Sequence, residues 1–438
     1  MKNKLVNFFI ILLLLVMVLL KFLSSSLFNI YNNLLCYFCI LLVVVASIYF
    51  SFKLNFIQFN IIKIARTIKK CNSNDIKALF MSMGAKIGVG SIAGISLAIY
   101  VSGPGVLFWI WVISLLSSIL TYCESYLGMK YKQNCNGKNN GGVFYYLSKG
   151  LNNHSLAFIY TLLLIFVYAI GFVGIQSNTI VKSVNYITYT NSYIIVSIMC
   201  LLVAIIIFNK IDSIVNFMSK LVPFMCLLYL VLGLFIIINN WVNISNIFNI
   251  IIEDALNLDR SICGIIVVGL KRGIFATESG LGTSSISSSI SDSSPDNQGV
   301  FQVLGVHFIS LVVITITGLI IVGSEYNYIG NINGIEIVMS IFYNYYSSIG
   351  SLSLCVIVIL FAISTIISGY YYGIKGLEFI MGSLNKLDYL LFKLLIVLLV
   401  FLGGIVESTI IWSIIDDLIL FLLIINIYSL IKLRKKVQ

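Results

Sequence analysis

Gly84-Ala85-Lys86-Ile87-Gly88-Val89-Gly90-Ser91-Ile92-Ala93-Gly94 and, far downstream, Lys271-Arg272-Gly273-Ile274-Phe275-Ala276-Thr277-Glu278-Ser279-Gly280-Leu281-Gly282-Thr283 decide how this chain reads. Each lies inside a long apolar segment yet is crowded with glycines, hydroxyls and charges, which a lipid-facing helix has no reason to contain. At mid-bilayer depth, unwound backbone survives only where it is buried in protein or lines a watery cavity. Paired interruptions in corresponding parts of two halves point to the binding site of a secondary transporter. Neither stretch contains proline. A break must therefore come from glycine, whose missing Cβ permits the φ values of an unwound turn. The competing reading is close helix packing, and the matching positions of the two stretches favour breaks.

Composition supports a membrane setting. Of 438 residues, 60% are hydrophobic and 10% charged, and the mean hydropathy is +1.05, which excludes a water-soluble fold. An apolar run of roughly 20 residues spans a bilayer as a helix, and eleven or twelve such runs are expected here, in an all-α integral membrane protein. The net charge of +11 marks orientation and not a nucleic-acid partner. Lys53, Lys63, Arg66, Lys69, Lys70 and Lys77 crowd one connection, and Lys130, Lys132, Lys138 and Lys149 another. Lys210 and Lys386 mark two more, and Lys432, Arg434, Lys435 and Lys436 the tail. Counting spans puts all of these on one face, which the positive-inside rule makes cytoplasmic. Segments 239–259 and 323–347 then lie outside. Cys36-x-x-Cys39 has no histidine or carboxylate nearby and reads as packing, so no metal centre is implied. Met1 to Leu20 has the basic start and apolar run of a signal peptide, but Lys21-Phe22 follows where small residues are wanted, which favours a retained helix.

Two leading helices, near 5–23 and 32–52, precede spans at 76–102, 104–128, 154–186, 193–208 and 213–238, then at 260–292, 299–322, 348–382, 386–403 and 407–431. The last ten divide into five and five, each set beginning with a glycine-interrupted member. An odd number per set inserts the second upside down relative to the first, which is an inverted repeat. The implied divisions are 1–75 (leading helices and basic loop), 76–238 (first repeat), 239–259 (outer connection), 260–431 (second repeat) and 432–438 (basic tail).

At an unwound turn one half-helix offers free N–H groups and the other free carbonyls. A zwitterion fits this, with its carboxylate near Gly88 to Ser91 and its ammonium near the carbonyls of Ala276 to Gly280. Sodium wants several oxygens, and Ser364 and Thr365, set in an apolar run, are the natural hydroxyl donors unless they merely bond back to their own helix. Intramembrane charge is costly and defaults to function, which singles out Lys86, Glu124, Arg272, Glu278 and Asp416 as structural or coupling charges. Glu278 either ligands an ion or amine or pairs with a basic group. Gln176-Ser177-Asn178 either reaches a substrate or bonds across helices. No histidine-containing cluster offers a nucleophile and base, so the chain does not read as an enzyme.

Taken together, these motifs resemble the alanine or glycine:cation symporter family, the sodium:alanine symporters. The resemblance rests on Gly88-x-Gly90-Ser91-Ile92-Ala93-Gly94, Gly103-Pro104-Gly105-x-x-Phe108-Trp109-x-Trp111 and Tyr122-Cys123-Glu124. It continues through Gly141-Gly142-x-x-Tyr145-Tyr146, Gln176-Ser177-Asn178, Arg272 to Gly282, Gln298-Gly299, Tyr371-Tyr372-Gly373 and Trp412 to Asp416. It implies a LeuT-type fold of two inverted five-helix repeats with broken first and sixth core helices, plus one or two extra N-terminal helices. It also implies a plasma-membrane carrier that takes up alanine or glycine with sodium and has no other cofactor. Its substrate contacts would fall on Gly88, Gly90, Ser91, Gln176, Phe275, Ala276, Thr277, Gly280 and Gly369, and its cation contacts on Gly88, Ser91, Ser364 and Thr365. The chain departs from the family where Ser91 replaces a usual Asn, Gly369 a usual Trp, Ile309 a usual Asp and Ile374 a usual Glu, and where Ala276-Thr277-Glu278-Ser279-Gly280 replaces Ser-Asn-Glu-Ala-Gly. Gly369 is expected to enlarge the pocket and Ser91 to weaken an ion or carboxylate site. Proton coupling, a glutamine, serine or larger neutral substrate, and a non-transporting amino acid sensor are the alternatives.

Overall fold

A computed structural model describes residues 25–135, 138–240, 243–257, 262–324, 334–406 and 408–437. The expected helix near 5–23 lies outside them. The described residues open with α1 (Ser25–Lys53), a long apolar helix, followed by α2 (Ile61–Lys70), which holds Lys63, Arg66, Lys69 and Lys70 of the basic connection on a helix. Asn60 starts α2 by accepting from the Lys63 N–H at 2.9 Å. α3 (Ser73–Lys86) begins with a reciprocal cap, each of Asn72 and Asp75 accepting from the other's backbone N–H at 2.9 Å. α4 (Ala93–Ser102) and α5 (Val106–Lys130) form the expected hairpin, with Gly103 at φ 96° in the turn. A short hairpin of β1 (Gln133–Cys135) and β2 (Lys138–Asn140) leads through helical turns at 143–150 to α6 (His154–Ile187), which is wound as a π-helix over Ile165–Phe172.

The chain continues with α7 (Ser192–Ile207), α8 (Ile211–Asn239), α9 (Ile244–Leu256), α10 (Ile262–Thr277) and the short α11 (Thr283–Ser288). Ser294 and Pro295 start α12 (Pro295–Gly323), and α13 (Gly334–Met381), α14 (Lys386–Ile405) and α15 (Ser408–Lys432) complete the bundle.

Two groups of helices pack among themselves. α5 lies against α10 and α12, and α11 against α3; α6 lies against α13 and α14, and α14 against α7. α13 also touches α3 and α4, so the first interrupted helix sits between the groups.

Among the described residues eight helices are long and apolar enough to cross a membrane, or nine with the bent pair Ser73–Lys86 and Val89–Ser102 taken as one. That is fewer than eleven or twelve because the expected span near 5–23 lies outside the described residues, α7 is short and the second interrupted helix is divided into pieces of 16 and 6 residues. The segments read as outer connections are helical in part. In α9, Ile247, Ile251 and Ala255 share one buried face, and α13 starts at Gly334, bending at Ser347 where φ is 54°. Three of the basic clusters meet: Lys53 donates to the carbonyls of Arg434 and Val437, and Lys130 to that of Lys436.

Candidate functional site

The first interruption is a true break. α3 ends at Lys86, Ile87 leaves helical geometry (φ −86°, ψ 66°), Gly88 is extended, and a single 3-10 turn at Val89–Ser91 leads into α4, which is bent by 63° from α3. Its glycines are not needed for positive φ, since none of Gly84, Gly88, Gly90 and Gly94 has one. Gly84 and Gly88 are needed for room. A Cβ on Gly88 would lie 2.5 Å from Thr365 Oγ1 and 3.2 Å from Gln176 Nε2.

The second break follows the conformational argument instead. After Thr277, Glu278, Gly280 and Gly282 all have positive φ (52°, 87° and 95°), and only the glycines take that geometry without strain. The exposed backbone is satisfied from neighbouring helices. Tyr160 donates to the Leu281 carbonyl at 2.5 Å and Asn426 to the Gly280 carbonyl at 2.8 Å.

The two breaks and α6 enclose one cavity. Gly88, Gly90, Ser91, Gln176, Phe275 and Ala276 line it, and so do Thr365, Lys86, Arg272, Glu278 and Asp416. Gln176 accepts from the Val89 N–H at 3.2 Å, tying α6 to the first break, and nothing lies within 4 Å of where a Gly90 Cβ would be. The two neighbours of Gln176 do the other thing open to this motif. Ser177 donates to Val400 O at 2.6 Å and Asn178 to Val406 O at 2.8 Å, both bonds across helices. Ser91 turns its hydroxyl back onto Gly88 O at 2.7 Å.

Ser364 and Thr365 do both things considered for them. Each bonds back to Phe361 O, at 2.8 and 3.1 Å, and each reaches Gly84 O in the last turn of α3, at 3.1 and 3.2 Å. Two hydroxyls thus meet a carbonyl beside the break, next to Gly88.

Three predicted contacts fall elsewhere. Thr277 is buried and donates to Gly273 O at 2.8 Å within its own helix, and Gly280 packs towards Leu120 and Leu423. Gly369 does not enlarge the cavity. A Cβ there would lie 2.5 Å from the Tyr168 carbonyl oxygen, so this glycine lets α13 approach α6 closely.

The charges form two groups. Lys86 is buried, within electrostatic reach of Glu278 and Glu124, and donates to Ser284 Oγ at 2.8 Å. Glu124 accepts from Asn426 at 3.0 Å, and Glu278 from Thr283 at 2.7 Å. In the other group, Lys271 pairs with Asp416 at 3.2 Å, its ammonium 5.4 Å from the centre of the Phe275 ring. Sequence reasoning named all of these charges but did not foresee that Lys271 and Asp416 are partners. It missed Phe172, Ile95 and Ile419 in the cavity wall, which look like any other apolar residue, and Asn426, whose signal was an amide isolated in the apolar run Leu423-Ile424-Ile425-Asn426-Ile427.

The sodium:alanine symporter family profile matches residues 20–438. The chain belongs to that family. This symporter-family chain is therefore a transporter and not an enzyme. It is similar to the amino-acid carrier protein AlsT of Bacillus subtilis (28% identical, covering 92% of this chain and 88% of the relative) and to the sodium/alanine symporter AgcS of Methanococcus maripaludis (28%, 87% and 88%). It is equally similar to the probable sodium/glutamine symporter GlnT of B. subtilis (29%, 91% and 86%).

Proposed function

We propose that this protein couples the inward sodium gradient to uptake of a small neutral amino acid, alanine or glycine first, by alternating access across the plasma membrane. The observation that carries this reading is the single cavity where both helix breaks, Gln176 and Thr365 meet. Its small volume of about 60 Å³ suits a compact solute. Phe172, Phe275, Ile95 and Ile419 give it apolar walls for a short side chain.

Sodium is the favoured coupling ion. Ser364, Thr365 and the carbonyl of Gly84 supply uncharged oxygens beside Gly88, and a sodium ion would take over the carbonyl that the two hydroxyls now share. The π-wound α6, the two groups of helices and the position of the first break between them support a LeuT-type arrangement of inverted repeats, 76–238 and 260–431. In that arrangement the 239–259 connection is outside, and residues 1–75 and the tail 432–438 carry the cytoplasmic charge. The relative named for glutamine, at identity comparable to those named for alanine or as an amino-acid carrier, favours glutamine as the second reading.

The test is uptake of labelled alanine, glycine and glutamine into proteoliposomes under an inward sodium gradient, with potassium as control. Sodium-dependent accumulation of one of them is expected. Binding without accumulation would fit a sensor, and accumulation driven only by a proton gradient would replace the ion.

A further inference from the structure

The cavity's charges are unevenly placed. Lys271, Asp416 and Arg272 form one group, with a formal excess of one positive charge, and Lys86, Glu124 and Glu278 another, with a formal excess of one negative charge; Arg272 and Asp416 of the first and Lys86 and Glu278 of the second line the cavity itself. Asp416 is taken by Lys271 at 3.2 Å, which leaves the adjacent Arg272 without an acid. Among the described residues no hydrogen bond or ion pair engages its guanidinium, although it lines the cavity. Arg272 Nη1 lies 3.8 Å from where a Gly94 Cβ would be, against the first turn of α4, whose N–H groups also favour an anion. An arginine held at membrane depth is costly unless something anionic completes it, and its planar fork matches a carboxylate.

We propose that Arg272 is the side chain that holds the substrate's α-carboxylate, with the α-ammonium directed to the Glu278 end of the cavity. This rests on the amino-acid transport reading and deepens it. The helix break alone offers an anion partial charges. Arg272 adds a full charge at the same end, and the excess negative charge at the other end orients the zwitterion along one axis. Glu278 is suited to that second role because it lines the cavity at the point where α10 ends with free carbonyls.

The experiment compares sodium-driven alanine uptake, and its competition by alaninamide, which lacks the carboxylate, in the wild type, Arg272→Gln and Arg272→Lys. The wild type should reject alaninamide. Arg272→Gln should raise the KM for alanine by about 10- to 100-fold and bring alanine and alaninamide close to parity, because a charge-assisted contact to only one of them is lost. Arg272→Lys should restore part of the preference, which also shows that the site still folds. If Arg272→Gln keeps the wild-type preference for alanine over alaninamide, the proposal is overturned and the α4 N–H groups alone hold the carboxylate. Absence of any amino-acid uptake by the wild type would overturn the transport reading and this one with it.

Discussion

Gly88 shows how much one missing methyl group decides. Thr365 Oγ1 occupies the space its side chain would need, Gln176 Nε2 lies close beside it, and both residues line the cavity, so making room would disturb the site itself. Gly88→Ala is expected to lower the initial uptake rate at least 10-fold while leaving a monodisperse, membrane-inserted protein. Near-normal uptake would show that the cavity is looser than this packing implies. Thr365→Val removes one of the two hydroxyls that meet Gly84 O. It should raise the half-saturating sodium concentration by about 10-fold, as expected for a lost ligand worth roughly 1–2 kcal/mol, with little change in the alanine KM at saturating sodium. An unchanged sodium dependence would count against sodium at this position. Asn426 bridges Glu124 and Gly280 O from an apolar stretch of α15. Asn426→Leu should cost about 2–4 kcal/mol of stability, read as a fall in unfolding temperature in detergent, because it strips partners from a buried carboxylate and a buried carbonyl. At this scale the sequence was legible where chemistry interrupts an apolar run, as at Lys86, Gln176 and Glu278. It was not legible where a residue's role depends on what it faces. Gly369 and Gly88 look alike in the chain, yet one packs against the Tyr168 backbone and the other makes room for the site.

Interrupted helices were the most readable elements, because a lipid-facing helix has little use for a run of glycines and hydroxyls in apolar sequence. Their partners were harder to see. The end of the molecule that holds the start of α3 is closed by a polar latch. Asp75 accepts from Ser291, Asn74 donates to Asp292 at 2.6 Å and Asn139 to the same carboxylate at 3.1 Å, and Lys132 donates to Ser291 O at 2.7 Å. These bonds tie α3 and the β-hairpin to the segment after α11, so opening a path from the cavity towards this face requires them to part. Asp292→Ala should therefore shift the protein towards an open inner face. In a cysteine-free background, a cysteine introduced at Ala85, which lines the cavity, should react several-fold faster with a polar thiol reagent added from the face of the basic clusters. Equal labelling rates would mean that the latch does not govern access. The helices at 244–256 and from Gly334 were missed as elements because flanking Glu, Asp and Asn made these segments look like loops. Their apolar residues recur at helical spacing and pack inward, and Gly334 sits against the carbonyl of Ala93 at the start of α4.

For the molecule as a whole, the bilayer was the easiest part to infer and the substrate the hardest. Mean hydropathy and the spacing of basic residues depend on sums over the chain, and the meeting of Lys53 and Lys130 with the C-terminal backbone brings those clusters together on one face. Substrate identity depends instead on a few ångströms of cavity wall contributed by α4, α6, α10, α13 and α15, and no single segment carries it. The orientation makes its own prediction: an epitope tag after Gln438 should be reached by antibody only in permeabilised cells, and staining of intact cells would invert the assignment. The central claim is that sodium and a small neutral amino acid move together. It is tested most directly by recording charge movement from proteoliposomes adsorbed on a solid-supported membrane when alanine is added. The account predicts an alanine-evoked inward current that requires sodium and disappears when potassium or choline replaces it. A current of equal size without sodium, or the absence of current in a preparation that binds alanine, would contradict it.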